Sequence, residues 1–213
     1  MDVCQYLNIP WGYHFRPGDD ELVKYLYQYE AGGPEPSEEL IRKEDIFGDK
    51  EPWELFRCNS GEKVQYFFTQ LKMKAKKSME GSRFERTVGK KVNGKRPGTW
   101  HGQDKGSPVL VNSNGALLGY KRSFLYKNEN EKDHHKKWLL KEFYLCEDLI
   151  KILSEKYPTS FSQRKSFVLC ALRKKEDEET NTRSRMEGVG VEMALEFLED
   201  DTSEAMRPLT ESR

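Results

Sequence analysis

Five short segments, 64–69 (VQYFFT), 109–111, 117–126, 138–145 and 166–172, are rich in β-branched and aromatic residues and are set apart by Gly, Asn, Ser and charged turns. Side chains of this kind suit a pleated, half-buried backbone, so the pattern predicts strands of one antiparallel sheet. Asn112-Ser113-Asn114-Gly115 supplies the turn of a hairpin between the second and third. The stretch before Pro52-Trp53 has a different texture. There Leu22, Val23, Leu26 and Tyr29 recur at helical spacing behind Asp19, Asp20 and Glu21, which predicts a helix over Asp19–Glu30 ended by Gly32-Gly33-Pro34. Ser37 is placed to cap a second short helix through Lys43, and Leu149, Ile150 and Leu153 mark one face of another over 147–156. The fold class is α+β, a twisted antiparallel sheet flanked by short helices.

The 213 residues suffice for one domain and a tail. With 11 Phe, 10 Tyr and 4 Trp the chain can fill a core although 34% of its residues are charged, which excludes full disorder. No run approaches the ~18–20 apolar residues of a membrane span, and residues 1–10 lack the basic and apolar regions of a signal peptide. Cys4, Cys58, Cys146 and Cys170 are far apart and accompanied by only four His, which points to free thiols in a reducing compartment. His134-His135 stands among Lys and Asp in a polar turn, and neighbouring residues on a strand would face opposite ways, so a metal pair is not expected. No Gly-rich phosphate loop, nucleophile elbow or paired-acid constellation occurs, so neither catalytic residues nor a cofactor are expected.

A net charge of zero hides a strong asymmetry. Residues 1–71 carry 7 basic and 14 acidic side chains, 72–141 carry 18 and 6, and 142–213 carry 11 and 16. The basic middle, interleaved with Gly, Thr and Trp over 81–105, suits an irregular polyanion-binding surface, because each cation laid on a phosphate releases counterions. From 176 onward the chain holds 12 acids and 4 bases, and it is expected to be a disordered acidic tail.

Five blocks in order resemble the NAC domain of plant transcription factors. They are the run from Ile9 to Val23, Asp45-Ile46-Phe47 with 51–55 (EPWEL), Tyr66-Phe67-Phe68 continuing through Gly81-Ser82-Arg83 and Arg86-Thr87 to Trp100, then 118–126 (LGYKRSFLY) with 138–145, and 167–175 (FVLCALRKK). The resemblance assigns 1–8 to an extension, 9–175 to the domain and 176–213 to the tail. It implies a nuclear transcription regulator with a sheet between helices, dimerisation through the N-terminal segment, and a sheet-edge strand inserted into the major groove of duplex DNA. It implies no membrane partner and no enzymatic activity.

Carried over position by position, the family's DNA contacts fall on Lys77, Arg83, Arg86, Trp100, His101, Gln103, Lys105, Lys121 and Arg122. An Arg fork suits phosphate or a guanine edge. Lys72, Lys74, Lys76, Lys90, Lys91, Lys95 and Arg96 are candidates for phosphate contacts or nuclear import. The reading strand departs from its family, which usually has Gly-Tyr-Trp-Lys-Ala-Thr-Gly before Asp-Lys; here the run is Gly98-Thr99-Trp100-His101-Gly102-Gln103-Asp104-Lys105. The dimer contacts implied are Ile9, Pro10, His14 and Glu21, with His14 replacing an Arg and matching its charge only while protonated. Three functions follow: a sequence-specific regulator acting as homodimer or heterodimer with other NAC proteins, an interaction protein that lowers the DNA binding of intact relatives, and a non-specific nucleic-acid binder.

Overall fold

The computed structural model describes residues 14–58, 61–73 and 84–175. The Ile9 and Pro10 dimer contacts, the Lys77 and Arg83 DNA contacts, the candidate cations Lys74 and Lys76, Cys4 and the expected tail over 176–213 lie outside them. In chain order the elements are α1 (Asp19–Glu30), β1 (Ile41–Lys43), α2 (Pro52–Leu55), β2 (Gln65–Gln70), β3 (Thr87–Val88), β4 (Gly98–Gly102), β5 (Ser107–Leu110), β6 (Leu117–Lys127), β7 (Trp138–Leu145), α3 (Glu147–Lys156), α4 (Pro158–Arg164) and β8 (Phe167–Lys174).

The strands form one sheet in the order β1-β2-β8-β7-β6-β4-β3, with β5 also on β6. All pairs are antiparallel except β1 on β2, which is parallel, so the sheet is mixed where a purely antiparallel one was expected. The expected helix from Ser37 to Lys43 is the source of that strand. Ser37 starts a single turn through Leu40 and Ile41, after which Ile41 to Lys43 pair with Tyr66 to Phe68. Burial of Ile41 and two hydrogen bonds from Arg42, to the Leu55 carbonyl at 2.7 Å and Gln65 Oε1 at 2.8 Å, outweigh a weak local helix preference.

Both sheet faces are covered around β2 and β8, which is why their sequences are apolar without alternation. On one face α1 lays Leu22, Val23 and Leu26 over Tyr66, Phe68, Phe143, Leu169 and Ala171. On the other, Ile46, Phe47 and Leu55 meet Phe67, Trp100, Tyr126, Trp138, Leu140 and Cys170. The amide of Gly18 donates to the Glu21 carboxylate at 2.7 Å, closing the N-terminal turn of α1. Buried polar groups knit the second face: Tyr126 Oη donates to Glu51 Oε2 at 2.7 Å and accepts from Asn128 Nδ2 at 2.9 Å. His134 and His135 lie in the turn before β7, where His134 stacks on Trp53 and Nδ1 of His135 accepts the Asn128 amide. Cys58, Cys146 and Cys170 are free thiols.

Candidate nucleic-acid interface

The free edge of β6 is shared by two short strands. Its C-terminal half holds β4, with Thr99 opposite Lys127 and His101 opposite Leu125, and its N-terminal half holds β5. Between them, residues 103–106 cross the edge as a latched loop. The Gln103 amide donates to the Ser123 carbonyl at 2.8 Å, and the Asp104 carboxylate accepts the amides of Gly106 at 3.0 Å and Ser123 at 3.1 Å. Burial disfavours ionised Asp104, but these bonds and Arg122 hold its carboxyl below the usual range, so the loop carries a fixed negative charge among its cations. On its outer side β4 is covered by β3 only as far as Trp100, whose amide donates to the Arg86 carbonyl at 2.8 Å. His101 and Gly102 therefore begin an uncovered edge, on which Gln103 and Lys105 are also exposed.

Strand alternation sends Trp100 inward and His101 outward. Trp100 is buried against Tyr126, ring centroids 5.5 Å apart, and its Nε1 has no partner among the described residues. The expected DNA contact at Trp100 thus has its side chain enclosed in the sheet face. Gly98 permits the same packing, since a Cβ there would stand 2.7 Å from the Tyr126 ring. Partial desolvation, helped by the Lys127 ammonium, holds His101 below the ordinary histidine value and favours its neutral imidazole.

Arg86, another expected DNA contact, is also enclosed. Its guanidinium is buried, donates from Nη2 to Glu142 Oε1 at 2.9 Å and lies over the rings of Phe47 at 4.5 Å and Phe124 at 5.2 Å. A fork enclosed in this way packs the second sheet face and is turned away from solvent. Lys121 is also engaged, its ammonium paired with Asp19 of α1, whereas Arg122 is exposed. Arg96 donates from Nη1 to the carbonyls of Gly48 at 2.6 Å and Gly89 at 2.7 Å and to Asp49 at 2.5 Å, fastening the loop before β4. Lys72 pairs with Asp45. Lys90, Lys91 and Lys95 remain exposed around a tight turn in which Asn93 and Gly94 both have positive φ, at 51° and 77°.

The register adds cations that sequence reasoning missed. His101 lies opposite Leu125, Leu125 opposite Leu139 and Leu139 opposite Arg173; Lys127 and Lys141 occupy the same face two residues away. It is the face that α1 covers at Phe143 and Leu169, here beyond the reach of the helix. Lys127, Lys141 and Arg173 make no ion pair among the described residues, so their charge is available to a ligand. The signal in the sequence was alternation along the strands, yet three separate strands had to be put in register before the residues could be grouped.

Of the expected dimer residues, His14 and Glu21 are described, and both make contacts within the chain. His14 Nδ1 lies 3.1 Å from Glu62 Oε1, and Glu21 bonds Gly18.

Comparison with known proteins agrees with this architecture. Residues 10–145 match the family model "No apical meristem (NAM) protein". The chain is 28% identical over 182 residues to NAC domain-containing protein 96 of Arabidopsis thaliana, covering 83% of this chain and 56% of that protein. It is 30% identical over 177 residues to NAC domain-containing protein JA2 of Solanum lycopersicum, covering 82% and 45%. NAC transcription factor 56 of Arabidopsis thaliana is 29% identical over 144 residues, 66% of this chain and 36% of that protein. The chain spans about half the length of the curated relatives it matches. A family model covering residues 10–145, laid on a sheet whose strands carry the resembling blocks, shows that this chain belongs to the NAC (No apical meristem) family.

Proposed function

We propose that the chain is a nuclear, DNA-binding transcription regulator of the NAC type, acting as a homodimer or as a heterodimer with other NAC proteins, with a regulatory role and no enzymatic one. The observation that carries the reading is the uncovered β4 edge at His101–Lys105 beside Lys127, Lys141 and Arg173, which make no ion pair among the described residues. An edge strand with its loop is narrow enough to enter a major groove about 12 Å wide, while cations on the adjoining face meet phosphates and set the register. Lys90, Lys91, Lys95 and Lys105 extend this attraction, and Arg122 stands at the same edge. Base readout would fall to Gln103 and His101. Neutral His101 offers a single donor and Gly102 offers no side chain, which favours a second reading in which duplex DNA is held with little discrimination. Dimerisation would use the N-terminal segment with Ile9, Pro10, His14 and Glu21, the His14 to Glu62 contact opening to do so.

Selection of bound sequences from a random duplex pool tests the proposal. An enriched motif supports sequence-specific regulation. Salt-dependent binding with no motif supports the second reading. Failure to bind any duplex, together with loss of DNA binding by an intact relative on mixing, would replace both with an interaction protein that inhibits its relatives.

A further inference from the structure

The sheet splits at one place. Pairing of β7 with β8 ends at Phe143 and Leu169; beyond it Tyr144 and Leu145 follow β6, while Phe167 and Val168 follow β2. A cavity of about 330 Å³ fills the gap, within the size range of small-ligand sites. Its two ends differ. One holds Arg86, Arg122 and Glu142, where the Arg86 to Glu142 ion pair is already made. Toward the other, Leu145, Ile150, Phe161 and Phe167 form apolar walls around Glu30, the last residue of α1.

Glu30 is 4% exposed, and its carboxyl forms no hydrogen bond or ion pair among the described residues. A carboxyl in that position is costly to a fold unless something fills its hydrogen-bonding capacity. Burial alone pushes it up to about 8, whereas both arginines act on Glu142, so Glu30 stands apart from the charged end. We propose that this slot binds a small primary monoamine with an aromatic or branched apolar body, its ammonium on the Glu30 carboxylate and its body between Ile150, Phe161 and Phe167. The ammonium supplies the donors that Glu30 lacks, and the rings flank its apolar body. A diamine of similar length is disfavoured, because its second ammonium would approach Arg86 and Arg122. The site is independent of the DNA-binding reading.

Binding near neutral pH displaces the Glu30 proton to solvent as the ammonium takes its place. The other titratable groups in the wall are Arg86, Arg122, Glu142 and Tyr144. Calorimetric titration of the full chain with 2-phenylethylamine, in two buffers of different ionisation enthalpy, should show binding with release of up to one proton. 2-Phenylethanol, 3-phenylpropionate and p-xylylenediamine should each bind at least tenfold more weakly. Glu30→Gln should lower phenylethylamine affinity tenfold or more without lowering thermal stability, and Ile150→Trp, on a half-exposed helix face, should block entry while leaving Glu30 in place. No binding, equal binding of the alcohol or the carboxylate, or unchanged affinity in Glu30→Gln overturns the assignment.

Discussion

Two sets of cations, drawn from the basic middle of the chain and from β8, have opposite fates. Arg86, Arg96, Lys72 and Lys121 are tied to carboxylates or carbonyls of their own fold. Lys127, Lys141 and Arg173, with the exposed Lys90, Lys91, Lys95 and Lys105, make no ion pair among the described residues. A charge already neutralised by an enclosed partner contributes to packing, and one facing water contributes to the field a polyanion meets. Counting Lys and Arg along the sequence overstates the ligand-facing surface in one place and misses it in another.

The sharpest test of this division is Arg86→Ala. Removing one partner strands the Glu142 carboxylate inside the sheet face, which should destabilise the fold by about 3–5 kcal/mol. Thermal unfolding would show it, and replacing Glu142 by Leu in the same chain should restore part of the loss. A variant that keeps its melting temperature and loses only DNA binding would return Arg86 to the interface.

Glu30 sharpens the comparison from the other side, as a buried carboxyl with no partner among the described residues. Its folded value of about 8 lies above the ordinary carboxylate value, so the folded state holds its proton more tightly than the unfolded state. Stability should therefore fall as pH rises from about 4.5 toward 8 and level off above it. Glu30→Gln should remove that fall, with a gain on the order of 2 kcal/mol at pH 8 and none below pH 4. Denaturant midpoints across this range measure it; parallel curves for both proteins would contradict the burial argument.

Neutralising Lys127, Lys141 and Arg173 together should leave thermal stability unchanged and weaken duplex binding. The logarithmic salt dependence should become shallower by up to about 2.7, or about 0.9 for each phosphate that no longer meets a cation. Fluorescence titrations between two salt concentrations give the slope directly, and an unaltered slope would place the phosphate-binding cations elsewhere. The smallest effect is expected for His101→Lys. A lysine would add a charged donor at the edge and raise the ratio of specific to random-sequence binding by a factor corresponding to at most about 1 kcal/mol. Competition at one fixed salt concentration tests it.

Several elements were legible in the sequence because each is specified by its own side chains. The bounds expected for α1, β7 and α3 coincide with those observed. Each has a strong local period or capping signal. β2, β6 and β8 were placed to within about two residues for the same reason. β1 and β3 carry three and two residues, too few for any period, and exist because neighbours accept their hydrogen bonds. α2 and α4 are short turns begun by Pro52 and Pro158 and held by packing. β4 was legible through family resemblance alone.

The candidate interface divides along the same line. Composition and alternation determined a two-faced sheet, an aromatic core and a basic middle, and the family resemblance marked the altered run from Trp100 to Lys105. Which cations are enclosed was decided only in three dimensions, because a guanidinium carries one charge in any sequence and only its surroundings make it a core ion pair or a phosphate contact. The grouping of His101, Lys127, Lys141 and Arg173 depends on the register of four strands far apart in sequence. The cavity under Glu30 depends on where β7 and β8 cease to pair, since a void belongs to no residue.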